Sequence, residues 1–364
     1  MKKTTGIRLV SGITGAAALL SGCAATTADQ SAKLPENSAA EEAAAPEAAQ
    51  ESAVEVETRQ AEAYDKIANV SGEFTFSQDV ITPSDEVFNI FGTVATAMCA
   101  KPGFAFDEVE QENYYVNVKG SIKKAYSLSL AQIHEMQQKT KTMACSCASG
   151  PAVINTKATG VKLEDVIQMA DLEPGVNTIT VRGEGGYGMA MPLDYVLEKE
   201  AMLVWSLDSA DLPASQGAPL ALWIPDTVAK YFTRQVMEIE LTAEDEVPAV
   251  EGPNADQRAK VSIVNRMKNT TFGVGEQLTF EGYADDMGSP IAAVEFSLDG
   301  GETWTACQTE GATTDRWVYW HFSYVTEAAG TYKLDVRART ADGTVSPLAA
   351  SVVFTVSETP SDSF

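Results

Sequence analysis

Along residues 63–243 the apolar positions change period several times. Tyr114-Tyr115-Val116-Asn117-Val118 alternates and closes at Gly120, the pattern of a strand with one exposed face. Ser129-Leu130-Ala131-Gln132-Ile133-His134-Glu135-Met136 instead spaces its apolar residues as a helix, with Ser129 as the cap. The spacing predicts a second helix over Lys162 to Ala170, where Leu163, Val166, Ile167 and Ala170 share a face. Strand patterns follow at residues 178–182, 201–205, 221–224 and 237–241. Interleaved strands and helices make 63–243 an α+β domain.

Residues 244–258 are an acidic linker carrying two prolines, beginning EDEVPAVEGPNADQ. Beyond it, residues 259–357 are short strands between Gly- and Asp-rich turns: KVSIVN, EQLTFEGYA, AAVEFSLDGGETW, RWVYWHFSY, GTYKLDVRART and ASVVFTV. Tyr332, Leu334, Val336 and Ala338 alternate inward, and the even spacing predicts an all-β immunoglobulin-like sandwich. It lacks the cysteine–tryptophan–cysteine spacing of antibody domains. Trp304, Trp317 and Trp320 are read as its core, and Asp299 and Glu302 as solvated turn residues. His134 and His321 are expected to be structural, on a helix face and in a sandwich strand.

Charge changes the picture at the N-terminus. The chain has 51 acids against 26 bases, a net −25, which disfavours nucleic acid and anionic membrane surfaces as partners. Residues 24–62 carry nine acids against two bases in an Ala/Glu/Pro-rich stretch with almost no large apolar side chains, read as a disordered, self-repelling tether. Residues 1–23 supply a basic start (MKKTTGIR), a short apolar run (LVSGITGAAALL) and Leu20-Ser21-Gly22-Cys23. This resembles a bacterial lipoprotein signal peptide, which makes Cys23 the lipidated residue. An extracytoplasmic protein, lipid-anchored to the cell membrane, is the expectation. Cys99, Cys145, Cys147 and Cys307 remain, and an oxidising compartment allows disulfides whose connectivity stays open.

The most specific pattern lies in the sandwich. Phe296-Ser297-Leu298-Asp299-Gly300-Gly301-Glu302-Thr303-Trp304 is followed by Trp317-Val318-Tyr319-Trp320, then by Tyr332-Lys333-Leu334-Asp335-Val336-Arg337-Ala338 and Asp342-Gly343. This resembles the C-terminal domain of the sulfite oxidase family of molybdopterin-dependent oxidoreductases. The preceding domain is similar to that family's molybdopterin-binding domain, at Tyr115–Gly120 with Leu128–Leu130, at Gly160-Val161-Lys162-Leu163, at Gly217–Pro225 and at Phe232–Leu241. The resemblance covers residues 110 to 357. It implies a molybdenum–molybdopterin cofactor, oxo transfer on a small substrate, and homodimerisation through the sandwich. No haem-attachment motif is present, so an external electron acceptor is implied. The family's T-x-x-C strand fits Thr142-Met143-Ala144-Cys145, which makes Cys145 the implied metal ligand and Cys147 the alternative. A soft thiolate suits such a centre, and the pterin supplies the rest of its coordination. Arg234 is implied to contact the pterin phosphate or an anionic substrate, and Tyr187, in Glu184-Gly185-Gly186-Tyr187-Gly188, to line the substrate pocket.

Several positions depart from the family. Gln216 stands for its histidine, Ala221 for an arginine, Asp226 and Ala229 for loop glycines, Gln235 for a tryptophan, and Ala158 for the tryptophan before Gly160. A phosphate needs cationic donors, and these substitutions remove them. The N-terminal stretch also lacks the paired arginines with which cofactor-loaded proteins are exported. Two readings follow: an active oxidoreductase, or a cofactor-free binding or scaffold module that keeps the fold. A third uses Met143, Cys145 and Cys147, with Met189 and Met191, as soft ligands for Cu(I), against the plainer reading that these residues are core packing.

Overall fold

A computed structural model describes residues 64–82, 111–150, 152–213, 216–265 and 271–358, all within one compact unit, Ala61–Phe364. The expected signal peptide with Cys23, the expected tether and Cys99 lie outside the described residues.

The first domain is built on two sheets. One runs β10-β8-β5-β4, with β4 Gln138–Ser146, β5 Ala152–Lys162, β8 Met202–Leu207, β10 Ala221–Trp223 and the short β9 Ala210–Asp211 paired to β8. The other runs β3-β2-β11-β6-β7, with β2 Tyr115–Gly120, β3 Tyr126–Ser129, β6 Thr178–Gly183, β7 Ala190–Pro192 and β11 Val236–Thr242. β11 lies parallel to β2 and antiparallel to β6. Val116, Val118, Val161, Val181, Leu203 and Ile239 from both sheets enter one core and are at most 1% exposed.

Helix contributes less than the periodicity predicts. α1 (Leu130–His134), α2 (Leu163–Ile167) and α3 (Leu193–Glu198) are single turns, so the domain is mostly β. α1 starts where expected: Gln132 N donates to Ser129 Oγ, and Gln132 Oε1 accepts from Ser129 N, a complete capping box. α2 stops short of Ala170 because β5 already claims Lys162 and a tight turn closes from Ala170 N to the Ile167 carbonyl.

In the sandwich, one sheet runs β1-β17-β14-β12, where β1 is Glu73–Ser77, and the other β13-β19-β18-β15-β16. These comprise β12 Lys260–Ile263, β13 Thr271–Gly273, β14 Gln277–Asp285, β15 Ile291–Ser297, β16 Thr305–Gln308, β17 Val318–Val325, β18 Gly330–Thr340 and β19 Ala350–Ser357. Tyr332, Leu334, Val336 and Ala338 point inward as the alternation requires, beside Phe280, Phe296, Trp320 and Phe322. Of the three tryptophans Trp320 and Trp317 are buried, as expected, and Trp304 is not. Trp317 stacks on Tyr283 at 4.4 Å, and Trp304 lies half-buried with the Arg337 guanidinium 4.0 Å from its ring. Asp299 is also not solvated. It is 3% exposed and accepts from Thr303 N, Thr303 Oγ1 and Ser297 Oγ, because the turn needs an acceptor for its inward-facing amides. Glu302 is exposed and pairs with Lys66 at 2.5 Å. His134 ends α1 against Trp205, and His321 sits in β17 near Glu281, both in structural positions.

The largest departure from expectation is at the N-terminal end. β1 (Glu73–Ser77), expected within the first domain, pairs antiparallel with β17 and forms the outer strand of the sandwich. Val70 is buried in the sandwich core and Phe74 approaches Phe296 at 6.0 Å. The chain then crosses to the first domain, where Asn155 binds residues 78–82.

Candidate functional site

β4 carries both implied cysteines toward the junction of the two domains. It runs antiparallel to β5 with Cys145 opposite Ile154, and a bulge follows before Ser146. Alternation sends Met143 and Cys145 into the first domain's apolar core, each 0% exposed. Beyond the bulge, Ser146 meets the sandwich instead. The outer edge of β4 is closed there too: Ala144 N donates to the Asp315 carbonyl at 2.7 Å.

The group that meets Ser146 is Lys260, the first residue of β12. Its Nζ donates to Ser146 Oγ at 2.8 Å and to the Cys147 carbonyl oxygen. Asp285 is the cross-strand partner of Lys260. Its carboxyl is completely buried, with Ser146 beside it but neither oxygen in full hydrogen-bond geometry. Burial pushes this carboxyl up to about 6, against the pull of Lys260. Burial likewise lowers the Lys260 amine, opposed chiefly by Asp285. The neighbouring Asp286 is taken by Arg258, which grips it through Nε and Nη2, and by Ala259 N.

On the other side of Ser146 lies the loop between β10 and β11. Val228 bridges to Ser146 in parallel register. Asp226 binds Lys199 through one oxygen and accepts from Gly288 N of the sandwich at 2.8 Å through the other. Thr227 Oγ1 and Tyr195 Oη are 2.7 Å apart. Lys230 pairs with Glu251, while its carbonyl accepts from Tyr187 Oη at 2.5 Å. The same loop therefore touches Ser146 at Val228 and Tyr187 at Lys230. Arg234 follows, half-buried and packed over Gly217, whose φ of +100° leaves no room for a side chain: a Cβ there would lie 2.7 Å from Arg234 Cβ.

Cys145 and Cys147 thus share a neighbourhood with Lys260 and Asp285, whereas Tyr187 and Arg234 belong to the opposite flank of the 226–232 loop. Cys147 is half-buried, its sulfur 3.8 Å from Ser149 Oγ. Lys260 and Asp285 escape sequence reading because the alternation of β14, with Leu278, Phe280 and Ala284 inward, marks Tyr283 and Asp285 as solvent-facing. Nothing local announces that another domain covers that face.

These residues do not fit a molybdopterin. A metal–sulfur bond needs a sulfur that faces open space, and Cys145 is sealed in apolar packing. The phosphate needs uncommitted cations, but Lys199 and Lys230 are neutralised by Asp226 and Glu251. Asp285 and Asp226 would add like charge beside the anionic group. The copper arrangement fares no better: Met143, Cys145 and Met191 are ordinary core residues, and the described residues hold no cluster of three or more His, Cys, Asp or Glu side chains able to grip a metal.

Comparison with known proteins places the fold. Residues 104–249 match the oxidoreductase molybdopterin-binding domain and residues 260–336 the bacterial Ig domain. The mitochondrial sulfite oxidase of Mus musculus is 21% identical over 253 residues, 56% of this chain and 46% of that protein. The Homo sapiens protein is 21% identical over the same length and shares. The chain therefore spans about half the length of the curated relatives it matches. Among solved structures, the sulfane dehydrogenase SoxCD from Paracoccus pantotrophus aligns with a TM-score of 0.55 at 19% identity, covering 66% of this chain and 70% of that one.

Proposed function

We propose that this chain, which joins a match to the molybdopterin-binding domain to a bacterial Ig domain and resembles sulfite oxidases, works as a cofactor-free binding or scaffold module. The observation that carries this reading is the closed sulfur of Cys145, with Lys260 of the sandwich holding the turn beside it. Lys199 and Lys230, the cations of the neighbouring loop, are committed to Asp226 and Glu251 rather than to a cofactor. In this reading Cys23 anchors it outside the cytoplasm, and the sandwich face is available for pairing with a second copy.

The deciding experiment measures molybdenum by elemental analysis, and pterin by fluorescence after oxidation, in protein purified from its own membranes. Neither should be found. Near-stoichiometric molybdenum would overturn the proposal.

A second reading is favoured by the match over residues 104–249 and by the T-x-x-C strand at Thr142–Cys145. There Cys145 would be the metal ligand, Arg234 the phosphate contact and Tyr187 a pocket residue, with an external electron acceptor. Loss of molybdenum in Cys145→Ser would establish it.

A further inference from the structure

Residues 65–73 arch over one end of the sandwich. Asp65 N donates to the Thr331 carbonyl of β18 at 2.8 Å, Ile67 bridges to Leu298, and the chain then enters β1, where Glu73 lies opposite Ser323 of β17. Beneath the arch opens a cavity of about 1000 Å³, lined among others by Asp65, Lys66, Glu73, Tyr324, Glu327 and Tyr332. At roughly 30 Å³ per water, it has room for a hydrated organic molecule of about ten heavy atoms. The domain junction lies at the other end of β17, where Asp315 takes Ala144 N. At roughly 3.3 Å per residue, the strand from Val318 to Tyr324 puts about 20 Å between the two.

The lining is rich in acceptors. Asp65, Glu73 and Glu327 bring three carboxylates, while Lys66, its one cation among the described residues, is paired with Glu302 at 2.5 Å. Neither Glu73 nor Glu327 has an ion-pair partner among the described residues. Tyr332 Oη already donates to the Ala328 carbonyl at 3.0 Å, so toward the cavity it can only accept. Tyr324 is an independent feature. It lies on the inner face of β17 and is 8% exposed, yet its hydroxyl has no hydrogen-bond partner among the described residues. Burial, then the Tyr332 hydroxyl and the Glu327 carboxylate, raise its phenol, which places its oxygen near both groups. A buried hydroxyl without a partner is costly, and a donor arriving from the cavity would relieve that cost. An ammonium is such a donor, with three N–H groups and no acceptor. A point cation fits poorly, because no three His, Cys, Asp or Glu side chains of the described residues stand close enough together to hold a metal ion. Separated carboxylates suit a flexible chain that carries its charges at intervals.

We propose that this cavity binds aliphatic polyamines, with one ammonium between Glu327 and the Tyr324 hydroxyl and a second toward Glu73 of the arch. No bond is made or broken. The affinity comes from charge pairs at a cavity open to solvent, so it falls as salt rises. The inference goes beyond the proposed function and has a separate readout. Metal content concerns the junction and polyamine binding the opposite end of β17, so the two fail independently.

Isothermal titration of the full chain with spermidine at neutral pH tests it. One saturable site should appear, at least about 10-fold tighter than for butylamine, which carries a single ammonium. Tyr324→Phe keeps the packed ring and removes only the hydroxyl, and should weaken spermidine about 10-fold, the factor expected for one hydrogen bond to a charged group. Glu327→Gln, at an exposed residue, removes a charge without touching the core and should weaken it by a similar factor. Absence of a saturable site, equal affinity for butylamine, or spermidine binding unchanged in both variants overturns the proposal. The last result would assign the amine to the acidic residues 24–62 instead.

Discussion

Asn155 holds Gln78 across the domain junction: its Nδ2 donates to the Gln78 carbonyl at 3.0 Å and to the Val80 carbonyl at 2.9 Å. Its own backbone N–H and C=O are taken by Thr82. Gln78 in turn reaches the carbonyls of Thr313 and Arg316 in the sandwich. Asn155→Leu strands two buried carbonyls and should cost about 1–3 kcal/mol. Chemical denaturation measures the loss, and hydrogen exchange should quicken first in residues 73–82.

Asp285 makes stability depend on pH in a defined window. Folding raises its carboxyl from the ordinary 3.8 to about 6, so between those values the folded chain binds more protons than the unfolded one. Stability should therefore fall as pH rises from 3.8 to about 6 and then level off. Asp285→Asn removes that slope and stabilises the protein near pH 7 by on the order of 2 kcal/mol. Lys260, lowered by burial, acts in the opposite sense. Denaturation midpoints of both proteins across the window check the sign. An unchanged slope in Asp285→Asn assigns it to other groups.

Gly160 is required by a close approach rather than by a turn. A Cβ at this position would lie 2.0 Å from the Leu203 carbonyl oxygen, where the β5–β8 register shifts. Gly160→Ala must push two central strands apart and should destabilise by at least 1–3 kcal/mol, roughly the cost of overpacking a core. Thermal unfolding measures it. Gly252→Ala, with nothing within 4 Å of its added methyl, is the matched control and should leave the midpoint unmoved.

Asp299 fixes the sandwich hairpin through three side-chain and backbone donors, which hold its carboxyl down at about 2. That stabilisation is present above the ordinary carboxylate range and is lost as pH falls through about 2. Asp299→Ala should lower the melting temperature at neutral pH and release Trp304, whose Nε1 donates to the Gly301 carbonyl. Tryptophan fluorescence reports the second effect directly.

The strands of both domains were legible because alternation is local: Tyr332, Leu334, Val336 and Ala338 declare their inner face without reference to anything distant. α1 was legible for the same reason, since Ser129 and Gln132 close their own cap. The sequence misplaced β1 because its partner β17 lies at the far end of the chain, and nothing within five residues names a sheet. It misread Asp285 because a polar face covered by another domain has the same pattern as one covered by water. The junction around Cys145 was therefore only half readable: the thiols were visible in sequence, but the lysine that meets their turn was not.

The position of β1 also bears on the order in which the protein can form. Gln78 and Thr313, joined in the finished structure, are separated by 235 residues. As the polypeptide emerges from the ribosome or through a membrane, β1 appears early and waits for almost the whole remaining chain before β17 exists to receive it. Contacts of such long sequence separation impose a large loop-closure cost and slow folding. The sandwich then closes last, with an unpaired strand exposed in the interval, and a chaperone that shields residues 73–77 should raise the yield of folded protein more than one acting on the C-terminal strands.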